Sequence, residues 1–474
     1  MPPTDVPPTD VPPTDVPPTD VPTTDTPLND TQKWLADRPE IKTLFACVCD
    51  LNGTLRGKRV PVEQAEKVIA GGVRMPLSIV AVDVWGEDIE GSKLVFETGD
   101  SDGLCDFTGR GLLPITWSER PTAMAMLWMR EENGTPFVGD PRRALANVVE
   151  RYKARGLTPV VATELEFYLC DPSEDRPQAP RSPLTGKRLD SDGVLSLDEL
   201  QHFDAFLNDV YDACAEQDIP ADAAISENGA GQFEINLLHV DDPLKAADDA
   251  VLFKRLVRGI ARKHGFAATF MAKPYGNCAG SGFHVHFSML DENGVNVFDN
   301  GGEEGTPLML NAVAGLLATM QENSLTFAPH ENSFRRLMPG AHAPTGVAWG
   351  YENRTAAIRI PGGNHKARRI EHRVAGADAN PYLVLTSVLG GALVGIETNM
   401  MPPPPIVGDA YSLDLQHLPL DWASAIEAFA EGQTVPQVFS PALQTMLVEC
   451  KTQELKRFAR QVTDFEYHSY LEIV

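Results

Sequence analysis

The sequence predicts an α+β protein with two folded parts. At 474 residues the chain is longer than one hydrophobic core usually supports. Its β-rich runs at 158–169, 232–239 and 282–289 alternate with helical stretches at 197–216 and 243–264, and an earlier block alternates short β-rich runs with glycine-rich turns.

Taken in order, residues 2–25 repeat the pentad PPTDV, which supplies a proline pair, an acid and almost nothing to bury. Such a segment is expected to stay extended and disordered, so 1–29 is set apart as a tail without a catalytic role. Residues 30–139, with β-rich runs at 44–51 and 80–84, read as a small sheet domain. Asp140 followed by Pro141 reads as an N-cap with proline at the first helical position, and a larger domain is expected over 140–474. The apolar stretch 382–396 is about one turn short of a membrane span and is interrupted by Thr386, Gly390 and Gly391, so it reads as a buried helix.

Hydrophobic residues at 43% and charged residues at 22% are ordinary for a globular chain, so the bulk of it is expected to fold. The net charge of −26 argues against a nucleic-acid footprint and favours cations near the surface, organic polycations included. Seven cysteines without zinc-type or disulfide-framework spacing fit a reducing cytoplasm, and the N-terminus shows no secretory pattern.

Three clusters carry chemistry. In Thr163-Glu164-Leu165-Glu166 the two glutamates sit at i and i+2 and point to one face of a strand; buried together, they would need cations to neutralise them. Alone, the pair is also the pattern of a half-exposed strand. His284 and His286 repeat the spacing, and Glu227 and Glu234 bracket the turn Asn228-Gly229-Ala230-Gly231. Carboxylates with an imidazole suit Mg²⁺ or Mn²⁺. Between 335 and 373, eight basic residues face two acids, which inverts the sign of the chain. Arginine forks suit phosphate and carboxylate oxygens, and phosphoryl transfer needs charge stabilisation above all. Metals held by acids beside such a cluster describe a site for a nucleotide triphosphate and a second anion. No G-x-x-x-x-G-K-[ST] loop is present to cradle the phosphates.

The ordered set E-L-E-F, E-N-G-A-G-Q-F-E, G-S-G-F-H-V-H, R-R-L-M-P-G, N-R-T-A-A-I-R-I-P, K-A-R-R-I-E-H-R and A-N-P-Y-L resembles the glutamine synthetase family from about Asp50 to the C-terminus. By matching position, the resemblance implies that Glu166, Glu227 and Glu234 hold the metal on the glutamate side, and that Glu164, His284 and Glu371 hold the metal on the nucleotide phosphates. It implies that Arg336, Arg373 and the backbone at Gly280 clamp glutamate, and that Arg354 and Arg359 stabilise the transferring phosphoryl group. His286, Ser288, Lys366 and Arg369 match nucleotide contacts. It further implies ATP as co-substrate, two or more divalent ions per site, a β-grasp-like N-terminal domain and a ring-shaped homo-dodecamer with sites between neighbours.

The departures concern the amine. His342 stands where ammonia-using members carry a glutamate, and 75–78 holds no acid where they carry an aspartate. Ala279 replaces the family's asparagine before G-S-G, and Gln416 replaces the tyrosine that some members adenylylate. Together with the segments 77–90 and 456–471, this more closely resembles the γ-glutamylputrescine or γ-glutamylpolyamine synthetase branch. The expected reaction joins the γ-carboxylate of glutamate to a primary amine through γ-glutamyl phosphate. Asp83, Glu87, Asp88 and Glu90 are candidates to hold a distal ammonium, and His342 is the candidate base. An ammonia-using glutamine synthetase and a catalytically silent nitrogen or polyamine sensor are the rival readings.

Overall fold

The computed structural model describes residues 25–174, 176–190, 193–338, 340 and 343–474. The repeat over 1–24 and the candidate base His342 lie outside the described residues. The expected tail boundary at 29 falls inside a helix, Asp25–Ala36.

Five strands form the first sheet: β1 (Thr43–Cys49), β2 (Leu55–Pro61), β3 (Val73–Pro76), β4 (Asp102–Pro114) and β5 (Thr122–Arg130), in the order β2-β1-β5-β4-β3. Only β1 and β5 run parallel; the other neighbours are antiparallel. The run expected as a strand at 80–84 is not one. Leu77–Val80 is a 3₁₀ turn, and the fully buried Asp83 then folds the chain back by accepting from the backbone N–H groups of Trp85 (3.0 Å) and Glu87 (2.9 Å).

The second sheet contains β6 (Thr158–Cys170), β7 (Ala221–Ser226), β8 (Gln232–Val240), β9 (Ala267–Thr269), β10 (Phe283–Leu290), β11 (Trp349–Tyr351), β12 (Ile358–Ile360) and β13 (Ile370–His372). Its order is β11-β12-β13-β10-β6-β8-β7, with β9 paired to the end of β6. Strict alternation splits this sheet into an apolar and a polar face. Leu165, Phe167, Phe233, Ile235, Phe283, Val285, Phe287, Ile358 and Ile370 are all fully buried on the core side. There Phe167 meets Phe253 of the helix Pro243–Lys263, ring centres 6.3 Å apart.

Asp140 caps the helix Pro141–Lys153 as its sequence predicts, accepting from Arg142 N at 2.9 Å. The helical stretch expected over 197–216 is two helices, Leu197–His202 and Asp204–Glu216, because the chain turns at the buried Phe203. The apolar helix Pro381–Thr398 is long and apolar enough to cross a membrane by length and composition, yet it is buried along nearly its whole length. It packs against Pro307–Thr319 at Gly315 and Gly395, where a Cβ on Gly395 would stand 2.0 Å from the Asn311 carbonyl oxygen. The two sheets are tied together by Asn380, whose amide donates to the carbonyls of Asp50 (2.9 Å) and Leu51 (3.2 Å).

Candidate active site

The polar face of the second sheet gathers the predicted residues by register. Glu164 lies opposite His284, Glu166 opposite Glu234, His286 opposite Glu371, and Glu371 opposite Arg359. Four adjacent strand pairings therefore place acids, imidazoles and guanidinium groups in one row. Ligand atoms of Glu164, His284 and Glu371 come within 4.8 Å of one another, as do those of Glu166, Glu234 and His284. The expected second set paired Glu166 and Glu234 with Glu227. The carboxylate of Glu227 stands outside both groups but is close enough to Glu166 and Glu164 to feel their charge.

Electrostatics divides these acids. Burial, then repulsion from Glu164, Glu166 and Glu227, pushes Glu234 up to about 9. Burial and the same kind of repulsion, Glu166 foremost, push Glu227 up to about 7. Glu164 is also buried, but the imidazoles of His284 (3.2 Å) and His286 (2.8 Å) outweigh that and hold its carboxyl far below the ordinary range. Buried acids that repel one another beside an imidazole, with ligand atoms converging on a shared point, fit hard divalent cations: a cation supplies the charge that the fold withholds.

The arginines stand at the other end of the row. Glu371 accepts from Arg359 at 2.8 Å and from Arg373, and despite burial Arg373 and the two imidazoles lower its pKa. Arg336, almost fully buried, donates to the carbonyls of Val374 (2.8 Å) and Arg373 (3.4 Å). Two glycines make room for it. A Cβ on Gly280 would stand 2.7 Å from Arg336 Cγ, and one on Gly282 would stand 2.9 Å from an Arg336 terminal nitrogen. The Gly282 N–H donates to Glu166 at 2.8 Å, fixing that carboxylate from below.

Of the nucleotide candidates, His286 is buried and its Nδ1 accepts from Arg369 Nε at 3.2 Å. Ser288 follows on the same face of β10, half-buried. Lys366 is exposed on the 3₁₀ turn His365–Ala367, which Asn364 caps. Arg354 is exposed, and its charge reaches Glu227.

Two participants escaped the sequence reading. Gln232 donates to Gly280 O (3.0 Å) and to Glu166 (3.3 Å); its place two residues before Glu234 on one strand was the available signal. Glu352 accepts from Arg359 at 3.0 Å, and no sequence pattern marks it. Of the four acids expected to hold an amine, Asp83 is consumed by its turn and by Gln453 (3.0 Å) and Glu87 pairs with Arg457 at 2.7 Å, while Asp88 and Glu90 are exposed.

The profile of the glutamine synthetase catalytic domain matches residues 138–470. The chain is 39% identical to gamma-glutamylputrescine synthetase PuuA of Escherichia coli over 92% of its own length and 93% of the relative's. It is 31% identical to glutamate–isopropylamine ligase of a Pseudomonas species (92% and 96%) and 32% identical to gamma-glutamylethanolamide synthetase GlnA4 of Streptomyces coelicolor (91% and 93%). The solved structure of a GmaS/ADP complex superposes with a TM-score of 0.81 at 26% identity, covering 93% of this chain and 99% of that one. With its catalytic domain and nearly its whole length matched in this way, the chain belongs to the glutamine synthetase family.

Proposed function

We propose that this protein is an ATP-dependent ligase that joins the γ-carboxylate of glutamate to an organic primary amine. The observation that carries the reading is the single sheet face on which paired acids and paired arginines meet at Glu371. Glutamate is clamped by Arg336 and Arg373 at the Gly280 backbone, and its γ-carboxylate oxygen attacks the γ-phosphorus of ATP as the bond to ADP breaks. Arg354 and Arg359 offset charge on the transferring group, and His286, Ser288, Lys366 and Arg369 orient the nucleotide. Glu164, His284 and Glu371 would hold one Mg²⁺ or Mn²⁺ and Glu166, Glu227 and Glu234 another; when bound, such ions neutralise phosphate charge.

The amine nitrogen then attacks the acyl carbon of γ-glutamyl phosphate, the C–O bond to phosphate breaks, and the nitrogen gives up a proton. A primary alkylamine is protonated at neutral pH, so a base is required. His342 is assigned that role. The amine acceptor is supported by three relatives named for organic amines and by the absence of both ammonium-site acids, His342 standing at one position and Ser78 within the other segment. The family resemblance supports residues 30–139 as a β-grasp-like domain, 140–474 as the catalytic domain and a cytoplasmic ring-shaped homo-dodecamer.

The test is phosphate release with ATP and glutamate across ammonium, putrescine, spermidine, ethanolamine and isopropylamine. At least one organic amine is expected to exceed ammonium in kcat/KM by about 100-fold or more. Efficient turnover with ammonium alone would overturn the acceptor, and no turnover with any of the amines would overturn the enzyme.

A further inference from the structure

Glu352, directly after β11, adopts a conformation few glutamates do, with φ at +51°. Left-handed backbone at a residue other than glycine or asparagine carries strain that the surroundings must overcome, and such positions gather at functional sites. Here the surroundings are specific. One carboxylate oxygen of Glu352 accepts from Arg359 at 3.0 Å, while the other accepts from the N–H of Gly362. A Cβ at position 362 would stand 2.5 Å from the carboxylate, so a larger residue there would push the Glu352 side chain out of this pose. The side chain is itself 58% exposed, so it is not held in this pose by packing.

The consequence falls on Arg359. Its guanidinium is gripped from two sides, by the buried Glu371 and by Glu352, and its buried Nε has no partner among the described residues. The turn to which Glu352 ties it, Gly362 to Asn364, leads directly into Lys366. The same turn borders a cavity of about 680 Å³ that Glu352 and Arg368 also line.

We infer that Glu352 is a positioning residue: it fixes the Arg359 guanidinium in register with the Gly362–Asn364 turn, so that arginine and turn meet the nucleotide phosphates as one unit. The inference rests on the reading of Arg359 as a phosphoryl-stabilising arginine. Glu352 touches no reacting atom, so its removal should slow the chemical step and leave substrate affinities alone.

Glu352→Gln, Glu352→Gly, Arg359→Lys and the double variant Glu352→Gln/Arg359→Lys separate the possibilities, assayed as full-length protein with ATP, glutamate and putrescine. Glycine suits a φ of +51°, so Glu352→Gly removes the carboxylate without the strain, and its thermal midpoint reports folding. Both Glu352 variants are expected to lose about tenfold in kcat, with glutamate, amine and ATP KM within about twofold of the parent. In the double variant, Glu352→Gln should cost almost nothing beyond Arg359→Lys, because both changes act on one group. Parental kcat in Glu352→Gly, or a full further loss in the double variant, overturns the inference. If Arg359→Lys itself kept parental activity, the reading of Arg359 would fall instead.

Discussion

On the β6 and β8 side of the catalytic face, buried carboxylates repel one another until Glu227 and Glu234 sit at about 7 and about 9. On the β12 and β13 side, charge is balanced within the chain: Arg359 bonds Glu371 and Glu352, Arg373 bonds Glu371, and Glu371 stays below the ordinary carboxylate range. The two sides lie on one sheet and share the same alternation. One is built around charge that a ligand must bring, whereas the other is arranged before any ligand arrives. Preorganised cations are what a developing phosphoryl charge requires, and unbalanced acids are what recruits divalent ions.

The comparison is tested most severely by removing one element from each side. Chelation of divalent ions should take phosphate release to background, and Mg²⁺ or Mn²⁺ should restore it. Glu166→Ala and Arg359→Ala should each lower kcat by about 1000-fold or more, with an unchanged elution volume on size exclusion. Excess Mn²⁺ is expected to leave Arg359→Ala inactive, since added cations do not replace an oriented guanidinium. Recovery there would show that the two sides are interchangeable sources of positive charge.

A gentler change sits where the sides meet. Gly280→Ala would put a Cβ 2.7 Å from both the Ala272 carbonyl oxygen and Arg336 Cγ, and the backbone oxygen leaves no easy escape. The expected outcome is a rise of about tenfold in glutamate KM with ATP KM unchanged, read from initial rates. If ATP KM rose instead, Gly280 would belong to the nucleotide side.

The strands and their polar face were legible because alternation has a period of two: Glu164 with Glu166 and His284 with His286 declare a face without any knowledge of partners. Which strands lie side by side was not legible from spacing. That Glu371 stands between Arg359 and His286 is a fact of register among segments far apart in sequence, and the family resemblance supplied the roles that geometry then brought together. Glu352 was invisible because its significance lies in a backbone angle and a cross-strand contact. The strand expected at 80–84 failed for a local reason, since Asp83 offers its carboxylate to backbone donors two and four residues on, and Val84 N finds Glu454 at 2.8 Å instead of a strand neighbour.

The smallest predicted effect probes the acid side alone, through stability and not turnover. Glu227 and Glu234 have folded pKa values of about 7 and about 9 against an ordinary 4.5, so the folded state binds protons that the unfolded state has released. Their contribution to stability is complete below about pH 4.5 and is lost as pH rises towards 7 and then 9. Other groups act oppositely: burial lowers Lys254 to about 7, so ionised Lys254 favours unfolding and its cost fades as pH climbs from 7. The raw pH profile of the melting temperature therefore mixes signs, whereas the shift produced by Mg²⁺ or Mn²⁺ isolates the acids, because a bound cation competes with their protons. That shift should grow by a few degrees between about pH 6 and about pH 8.5. Glu234→Gln, which cannot ionise, should flatten the growth. A metal-induced shift equal at both pH values would mean that the acid side is already balanced within the chain, and the contrast between the two sides would disappear.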